Sequence, residues 1–469
     1  MKHVIAAVAL SVFAASCALG PTYQRPAVAM PPAFRDTAPA PAPVGAESLA
    51  DLHWFDLFKD DALTQLVRTA LAQNFDLQIA AERVLQARER FGIVRADLFP
   101  VVVGTAATSK NRVSEVGPRP LPSPLGPDVA DFQVGFALAW ELDVWGRVRR
   151  LSEAARAQYL ATEEARRGVV TTLVADVTDT YFLLQTLDRQ LIIAERTRDV
   201  AADGLRLTQL RRERGVATAL DTRQAEQLLY AATAQIASLQ RQLVQTEDAL
   251  RLLLGQMPGD VARSTGFVDT FNARPPVPVG LPSTLLERRP DIRQAEQALV
   301  AANAQIGVAR AEYFPRIALT GLLGLESRDL TELLTAPART WSIGAAAVAP
   351  LFNAGRTRAT VRLSESVARE LVVNYQRTIY RALREVSDAL AGYQKTGEQR
   401  AQQAQLVGSL RDATRLSTDR YQGGLDSYLQ VLDAQRSLFR SELDLAALER
   451  QELASIVELY RALGGGWAD

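Results

Sequence analysis

The sequence predicts a mainly α chain with membrane β-strands, built from two internal repeats of one unit. Three observations predict it. Two long stretches without proline carry apolar residues at heptad spacing. Four short segments alternate large apolar residues with small or polar ones. Several blocks recur at a nearly fixed offset.

The recurrence sets the frame for everything else. Arg95-Ala96-Asp97-Leu98-Phe99-Pro100 matches Arg310-Ala311-Glu312-Tyr313-Phe314-Pro315 at an offset of 310 − 95 = 215, which Asp76 and Asp291 share. Gly146-Arg147-Val148-Arg149 matches Gly355-Arg356-Thr357-Arg358 at 355 − 146 = 209, and the stretch from Arg206 through Gly215 to Ala225 matches Arg415 through Gly424 to Ala434 at the same offset. The slip between the two offsets falls in a loop region. Each copy has one order: helix, strand pair, very long helix, second helix.

The N-terminus reads as an export address. Lys2-His3 precedes an apolar run from Val4 to Ala15, then small residues, the pattern of a bacterial signal peptide over 1–16. Ala14-Ala15-Ser16 before Cys17 resembles a lipoprotein cleavage box, with Ala14 where leucine is more usual. Cys17 would then become the acylated first residue, and Ala18, in the absence of Asp at that position, resembles outer-membrane sorting. The alternative is plain cleavage beside an incidental cysteine. Residues 17–59, proline- and alanine-rich from Gly20 to Gly45, are expected to be an extended tether. Ordered helix is expected from Asp60 or Asp61, either of which can cap it.

Repeat 1 spans 60–255 and repeat 2 spans 283–463, with a linker at 256–282 and a tail at 464–469. No proline occurs between Pro127 and Pro258 or after Pro350, so both stretches are free to be helical throughout. Leu173, Val177, Thr180, Leu184, Leu187 and Leu191 alternate spacings of four and three, as do Ala225, Leu229, Ala232, Ile236, Leu239 and Leu243. That is the seam of a coiled coil. A helix from Gly146 to Arg212, about 67 residues at 1.5 Å each, reaches roughly 100 Å, which suits a cylinder. Gly215, Gly423 and Gly424 stand where helices must stop and reverse, giving hairpin tips near 215 and 424.

The strands are predicted at 99–110, 131–143, 315–326 and 340–352. Phe132, Val134, Phe136, Leu138, Trp140 and Leu142 share one parity, opposite Gln133, Gly135, Ala137 and Ala139. Ile317, Leu319, Leu323 and Leu325 repeat the pattern, as do Trp341, Ile343 and Leu351, whereas Val101 to Ser109 is weaker. Apolar-out, small-or-polar-in segments of this length are what an outer-membrane barrel requires. The proline-bearing, charged connection from Lys110 to Ala130 suits an exposed loop. Four strands cannot close a barrel, and an open edge in lipid leaves backbone groups unpaired. The chain must pool strands with copies of itself.

Composition excludes other classes. Lys+Arg and Asp+Glu both count 53, so no electrostatic footprint for nucleic acid exists. One cysteine, Cys17, and two histidines, His3 and His53, make no metal site. No GxSxG, P-loop or HExxH motif is present, and no cofactor or catalytic residue is assigned. Asp76 and Asp291 occupy equivalent repeat positions and suit capping or packing. A purely periplasmic coiled coil without a pore leaves the four strand segments unexplained.

From Gly20-Pro21-Thr22-Tyr23-Gln24-Arg25-Pro26 onward, with Trp54-Phe55, Leu63, Leu66, Ala70-Leu71, Asn74 and Asp76-Leu77, the chain resembles the TolC-like outer-membrane factor family, and most of all its lipoprotein members serving resistance-nodulation-division efflux systems. The resemblance implies a homotrimer: a 12-stranded β-barrel continued by a long α-helical coiled-coil barrel. It implies a passive exit duct in the outer membrane, lipid-anchored and reaching into the periplasm. The partners would be a periplasmic adaptor (membrane fusion) protein, an inner-membrane resistance-nodulation-division pump and outer-membrane lipid. A duct for type I secretion with an ABC transporter is the alternative. The stretch from Tyr421 to Gln435 looks like the family's periplasmic iris, with Asp433 supplying a carboxylate ring and Leu429 an apolar ring. Tyr421 would lock neighbouring helices or simply pack. TolC-type chains carry an aspartate at the position of Gln430 and an arginine at that of Asp426; both are missing here. On its own residues Asp433 reads as a solvated helix carboxylate. Gly215-Val216 and Gly424-Leu425 would be adaptor-docking tips, or mere turns.

Overall fold

Asp60 stands outside helical geometry, and its carboxylate accepts the Leu63 N–H at 3.1 Å, which satisfies one of the free donors at a helix start. In the computed structural model, which describes residues 18–34, 60–114, 116–117, 127–264 and 282–465, the ordered helical region begins here. Helix α1 runs Asp61–Gln73, α2 Phe75–Ala96, then strands β1 Val101–Arg112 and β2 Asp128–Leu142, and helices α3 Arg147–Glu213 and α4 Ala219–Leu253. The second copy follows as α5 Leu285–Arg288, α6 Pro290–Ala311, β3 Arg316–Ser327, β4 Arg339–Val348, α7 Arg356–Gln422 and α8 Tyr428–Ala462, with three short 3₁₀ turns between elements. The expected signal peptide, Cys17, residues 35–59, most of the 256–282 linker and residues 466–469 of the tail lie outside the described residues.

The duplication is reproduced helix by helix. Helices α3 and α7 both have 67 residues, α4 and α8 both have 35, and α2 and α6 both have 22. All four of the α3, α4, α7 and α8 C-termini close with the same double hydrogen bond across a glycine. Gly215 and Val216 donate to Arg212 and Arg211, Gly255 and Gln256 to Leu252 and Arg251, Gly424 and Leu425 to Tyr421 and Arg420, and Gly464 and Gly465 to Arg461 and Tyr460. The first glycine of each pair has φ between 69° and 84°, the left-handed backbone this stop requires.

The sequence reading expected one helix before each strand pair. Two are found, because the chain bends at Asn74 and, 289 − 74 = 215 residues on, at Arg289. Asn74 donates from Nδ2 to the Leu253 carbonyl at 2.9 Å, and Arg289 from its guanidinium to the Ala462 carbonyl at 2.9 Å. Different side chains tie the same bend to the same helix end. Gly255 must stay small there: a Cβ would stand 2.2 Å from the Gln73 carbonyl oxygen.

Two compact units divide the chain. One comprises the residues up to Ala27, Arg83–Thr162 and Gln294–Tyr375. It holds the sheet, a four-stranded antiparallel array in the order β1-β2-β3-β4. The strands are shifted by one to four residues from their expected bounds. Phe99 and Pro100 are excluded because the helix end turns through Phe99, whose N–H donates to the Ala96 carbonyl. Residues 349–352 are excluded because Pro350 has no N–H to give a ladder, and Ala354 and Gly355 then reverse the chain at φ 51° and 82°. Leu351 therefore belongs to no strand.

In the same unit the segment after Ala18 forms no helix or strand, and it is pinned rather than free. Leu19 donates its N–H to the Trp145 carbonyl, Asn303 reaches the Pro21 carbonyl at 2.9 Å, and Arg25 forms a two-pronged pair with Glu296 at 2.7 and 2.8 Å. Gly20 and Gly307 approach so closely that a Cβ on Gly20 would lie 2.5 Å from the Gly307 Cα. Ala154 and Ala157 of α3 pack on Ala301 and Ala304 of α6.

The other unit comprises Val28–Glu82, Glu163–Arg293 and Gln376 onward. Most of the heptad residues expected in the seam are its core: Leu173, Val177, Leu184, Leu187, Ala225, Ala232, Ile236, Leu239 and Leu243 are buried, whereas Thr180, Leu191 and Leu229 are half-buried.

Candidate membrane sheet and hairpin tips

Register decides what the sheet can face. Phe136 pairs with Gly104 on one side and Leu323 on the other, and Leu323 pairs with Trp341. Residues directly opposite one another share a face. Phe132, Val134, Phe136, Leu138 and Trp140 therefore lie on the same face as Ile317, Leu319, Leu323 and Leu325, and as Trp341 and Ile343. The other face carries Thr105, Gln133, Gly135, Ala137, Thr320, Ser342 and Gly344. The apolar face is bare: Phe136 is 63%, Leu323 66%, Trp341 71% and Ile343 83% exposed. Among the described residues, both outer edges, β1 and β4, lack a strand partner. Among the described residues no helix is long and apolar enough to cross a membrane.

At the tips, the second hairpin separates its residues by side. Tyr428, Val431 and Leu432 in the first turns of α8 are buried with Ala201, Ala225, Leu228 and Tyr421. The opposite side of those turns is exposed and carries Leu429, Gln430 and Asp433. Leu429 and Asp433, four residues apart, thus share one open helix face. Tyr421 lies elsewhere: it is 7% exposed, stacks edge-on against Tyr428, and lies under the Arg211 guanidinium at 4.3 Å. Burial, and then the neighbouring Tyr421, push the Tyr428 hydroxyl up to about 12.

Sequence reasoning missed Arg211. From the end of α3 it donates to the Tyr421 and Gln422 carbonyls, both at 3.1 Å, and so supplies a cation to the C-terminus of α7. Its repeat counterpart, Arg420, instead pairs with Asp426 at 2.5 Å, and that hydrogen bond holds the half-buried Asp426 carboxyl below the ordinary range. No TolC-type link is needed to occupy Asp426. The first tip is fixed by a reciprocal cap, Thr218 with Asp221, whereas Ser427 at the second makes no such side-chain bond.

Gly215 and Gly424 are open positions with nothing near a would-be Cβ. Val216 and Leu425 beside them are 74% and 70% exposed. Leu220 and Leu429, a further pair at the 209 offset, are 65% and 51% exposed. Leu220 was legible from that offset alone.

The chain matches the family described as outer membrane efflux protein over residues 66–256 and 281–465. It is 40% identical over 457 residues to the solvent efflux pump outer membrane protein SrpC of Pseudomonas putida, covering 96% of each chain. To the cation efflux system protein CusC of Escherichia coli it is 36% identical over 453 residues, again covering 96% of each. The solved open state of the Neisseria gonorrhoeae MtrE outer membrane channel superposes with a TM-score of 0.85 at 29% identity, over 96% of this chain and 99% of that one. With a bare apolar sheet face, two helical hairpins per chain and matches across both repeats, the chain belongs to the outer membrane efflux protein family.

Proposed function

We propose that three copies of this chain join β1 to β4 around a ring, giving a 12-stranded barrel in the outer membrane continued by a helical barrel in the periplasm. The assembly is the passive exit duct of a tripartite efflux pump and carries out no chemistry of its own. The single observation that carries this is the four-stranded sheet with one apolar face and two unpaired edges. In hydrocarbon each unsatisfied backbone group costs several kcal/mol, so the edges must meet other strands. The purified protein is expected to run as a trimer with both helix and strand signals by circular dichroism. A monomer without strand signal would overturn the duct.

The iris is read at the start of α8, where Asp433 and Leu429 face one way, with Tyr421 packing the hairpin behind them. An adaptor protein docks at the tips through Val216 and Leu425 beside Gly215 and Gly424, and a resistance-nodulation-division pump feeds the duct from the inner membrane. The exposed apolar pairs at both tips support this reading. Cys17 carries the lipid anchor. Cys17→Ser is expected to abolish incorporation of radioactive palmitate, and persistent labelling would place the acyl chain elsewhere or nowhere.

A further inference from the structure

The sheet sorts its charges by face at the end remote from the long helices. On the apolar face the charged strand residues are Lys110 and Arg112 of β1, Asp128 of β2 and Arg339 of β4, all at that end. On the small-residue face the same end carries Asp131 and Glu326 instead. At the helix end the apolar face has no charge, from Val102 and Leu142 across to Ile317 and Ala347. Arg112 and Asp128 offset one another at 3.5 Å, so the balance on the outward side is positive. Lys110 and Arg339 are exposed, and among the described residues neither pairs with a carboxylate.

Both cations stand equally far along their strands. Lys110 lies 110 − 102 = 8 residues beyond Val102 on β1, and Arg339 lies 347 − 339 = 8 residues from Ala347 on β4. Eight residues at about 3.4 Å, tilted roughly 40° as in a barrel, climb about 21 Å of an apolar band roughly 25 Å tall. Long basic side chains reach across the remainder. Strands β1 and β4 are the edges that meet between copies in the ring. Each seam therefore carries Lys110 of one copy and Arg339 of the next at the same end. Beside Arg339 the face is hollowed, and Val134, Phe136, Leu323, Leu325 and Trp341 line the apolar concavity with it. The hollow suits an acyl chain, and the cations beside it suit a phosphate. With the helices in the periplasm, this end of the sheet meets the outer leaflet, whose phosphorylated lipid is a glycolipid.

We propose that each seam binds a phosphorylated glycolipid of the outer leaflet, its phosphates on Lys110 of one copy and Arg339 of the next, and an acyl chain in the hollow beside Trp341. The site rests on the ring reading above and adds the lipid that the seams take. The test titrates fluorescent lipid A into the purified oligomer in neutral detergent. Lys110→Gln and Arg339→Gln are each expected to weaken binding roughly fivefold, and together about 25-fold, at one charge contact per residue. Lys110→Arg should bind as the unaltered protein does. Asp131→Asn combined with Glu326→Gln, on the other face, should leave the affinity unchanged. Lipid A stripped of its phosphates should bind the unaltered and doubly substituted oligomers equally weakly. Should the double variant fail to assemble, the two single variants carry the comparison. Oligomers without these cations that bind lipid A as tightly as the unaltered protein overturn the site and leave the duct standing. Equal affinity for phosphatidylglycerol does the same, because the rim would then take any anionic headgroup. A chain that stays monomeric removes the seam, and the ring and the site go together.

Discussion

Leu323→Arg is expected to stop the protein from assembling in the outer membrane, whereas Leu322→Arg, one residue away, is expected to assemble and alter only what passes. Leu323 lies between Phe136 and Trp341 on the apolar face, and Leu322 between Ala137 and Ser342 on the small-residue face. An arginine facing lipid near the midplane costs roughly 2–4 kcal/mol, and a ring of three copies incurs it three times over. That sum is comparable with the whole stability of an ordinary domain, roughly 5–15 kcal/mol. On the other face the guanidinium meets water. The measurement is the amount of heat-modifiable oligomer in outer-membrane fractions. Equal assembly of the two variants would mean that the two faces do not differ in what they contact.

Asp433→Ala is expected to give a larger single-channel conductance in planar bilayers, a weaker preference for cations, and cells more sensitive to large antibiotics. The carboxylate is exposed on the same open face as Leu429, while the opposite side of that helix is locked into the buried Tyr421–Tyr428 cluster. A ring of carboxylates in a narrow passage concentrates cations and raises a barrier to anions. The first hairpin offers a built-in control, because its equivalent position, 433 − 209 = 224, is Gln224. Gln224→Ala should leave conductance unchanged. If Asp433→Ala behaves like Gln224→Ala, the constriction lies elsewhere.

The duplication made much of this molecule legible before any coordinates. Once Gly215 and Gly424 are aligned, Val216 with Leu425 and Leu220 with Leu429 follow by counting. What the duplication hid was divergence at matched positions. Asn74 and Arg289 do the same job with unrelated side chains, and Arg211 and Arg420 do different jobs with the same one. Residue identity at equivalent sites therefore does not fix the role in either direction, because each role is set by what lies opposite and not by the side chain alone. The pinned segment after Ala18 was missed for the same reason. Its composition is that of a tether, and it is held by groups far along the chain: the Trp145 carbonyl, Arg150, and Glu296, Asn303 and Gly307 of α6.

By itself the sequence determined the element types, their lengths to within a few residues, the two-copy plan, the alternating faces of the strands and the glycine stops. These follow from local periodicity and from backbone sterics, which neighbouring residues encode together. The tertiary structure alone decided the strand order and register, the bends at Asn74 and Arg289, and the bridges from α8 to α3. The β2–β3 pairing, the bends and the bridges each join groups more than a hundred residues apart, such as Asn74 with the Leu253 carbonyl or Arg189 with Glu449. Periodicity says which face of an element will be covered; only packing chooses the element that covers it.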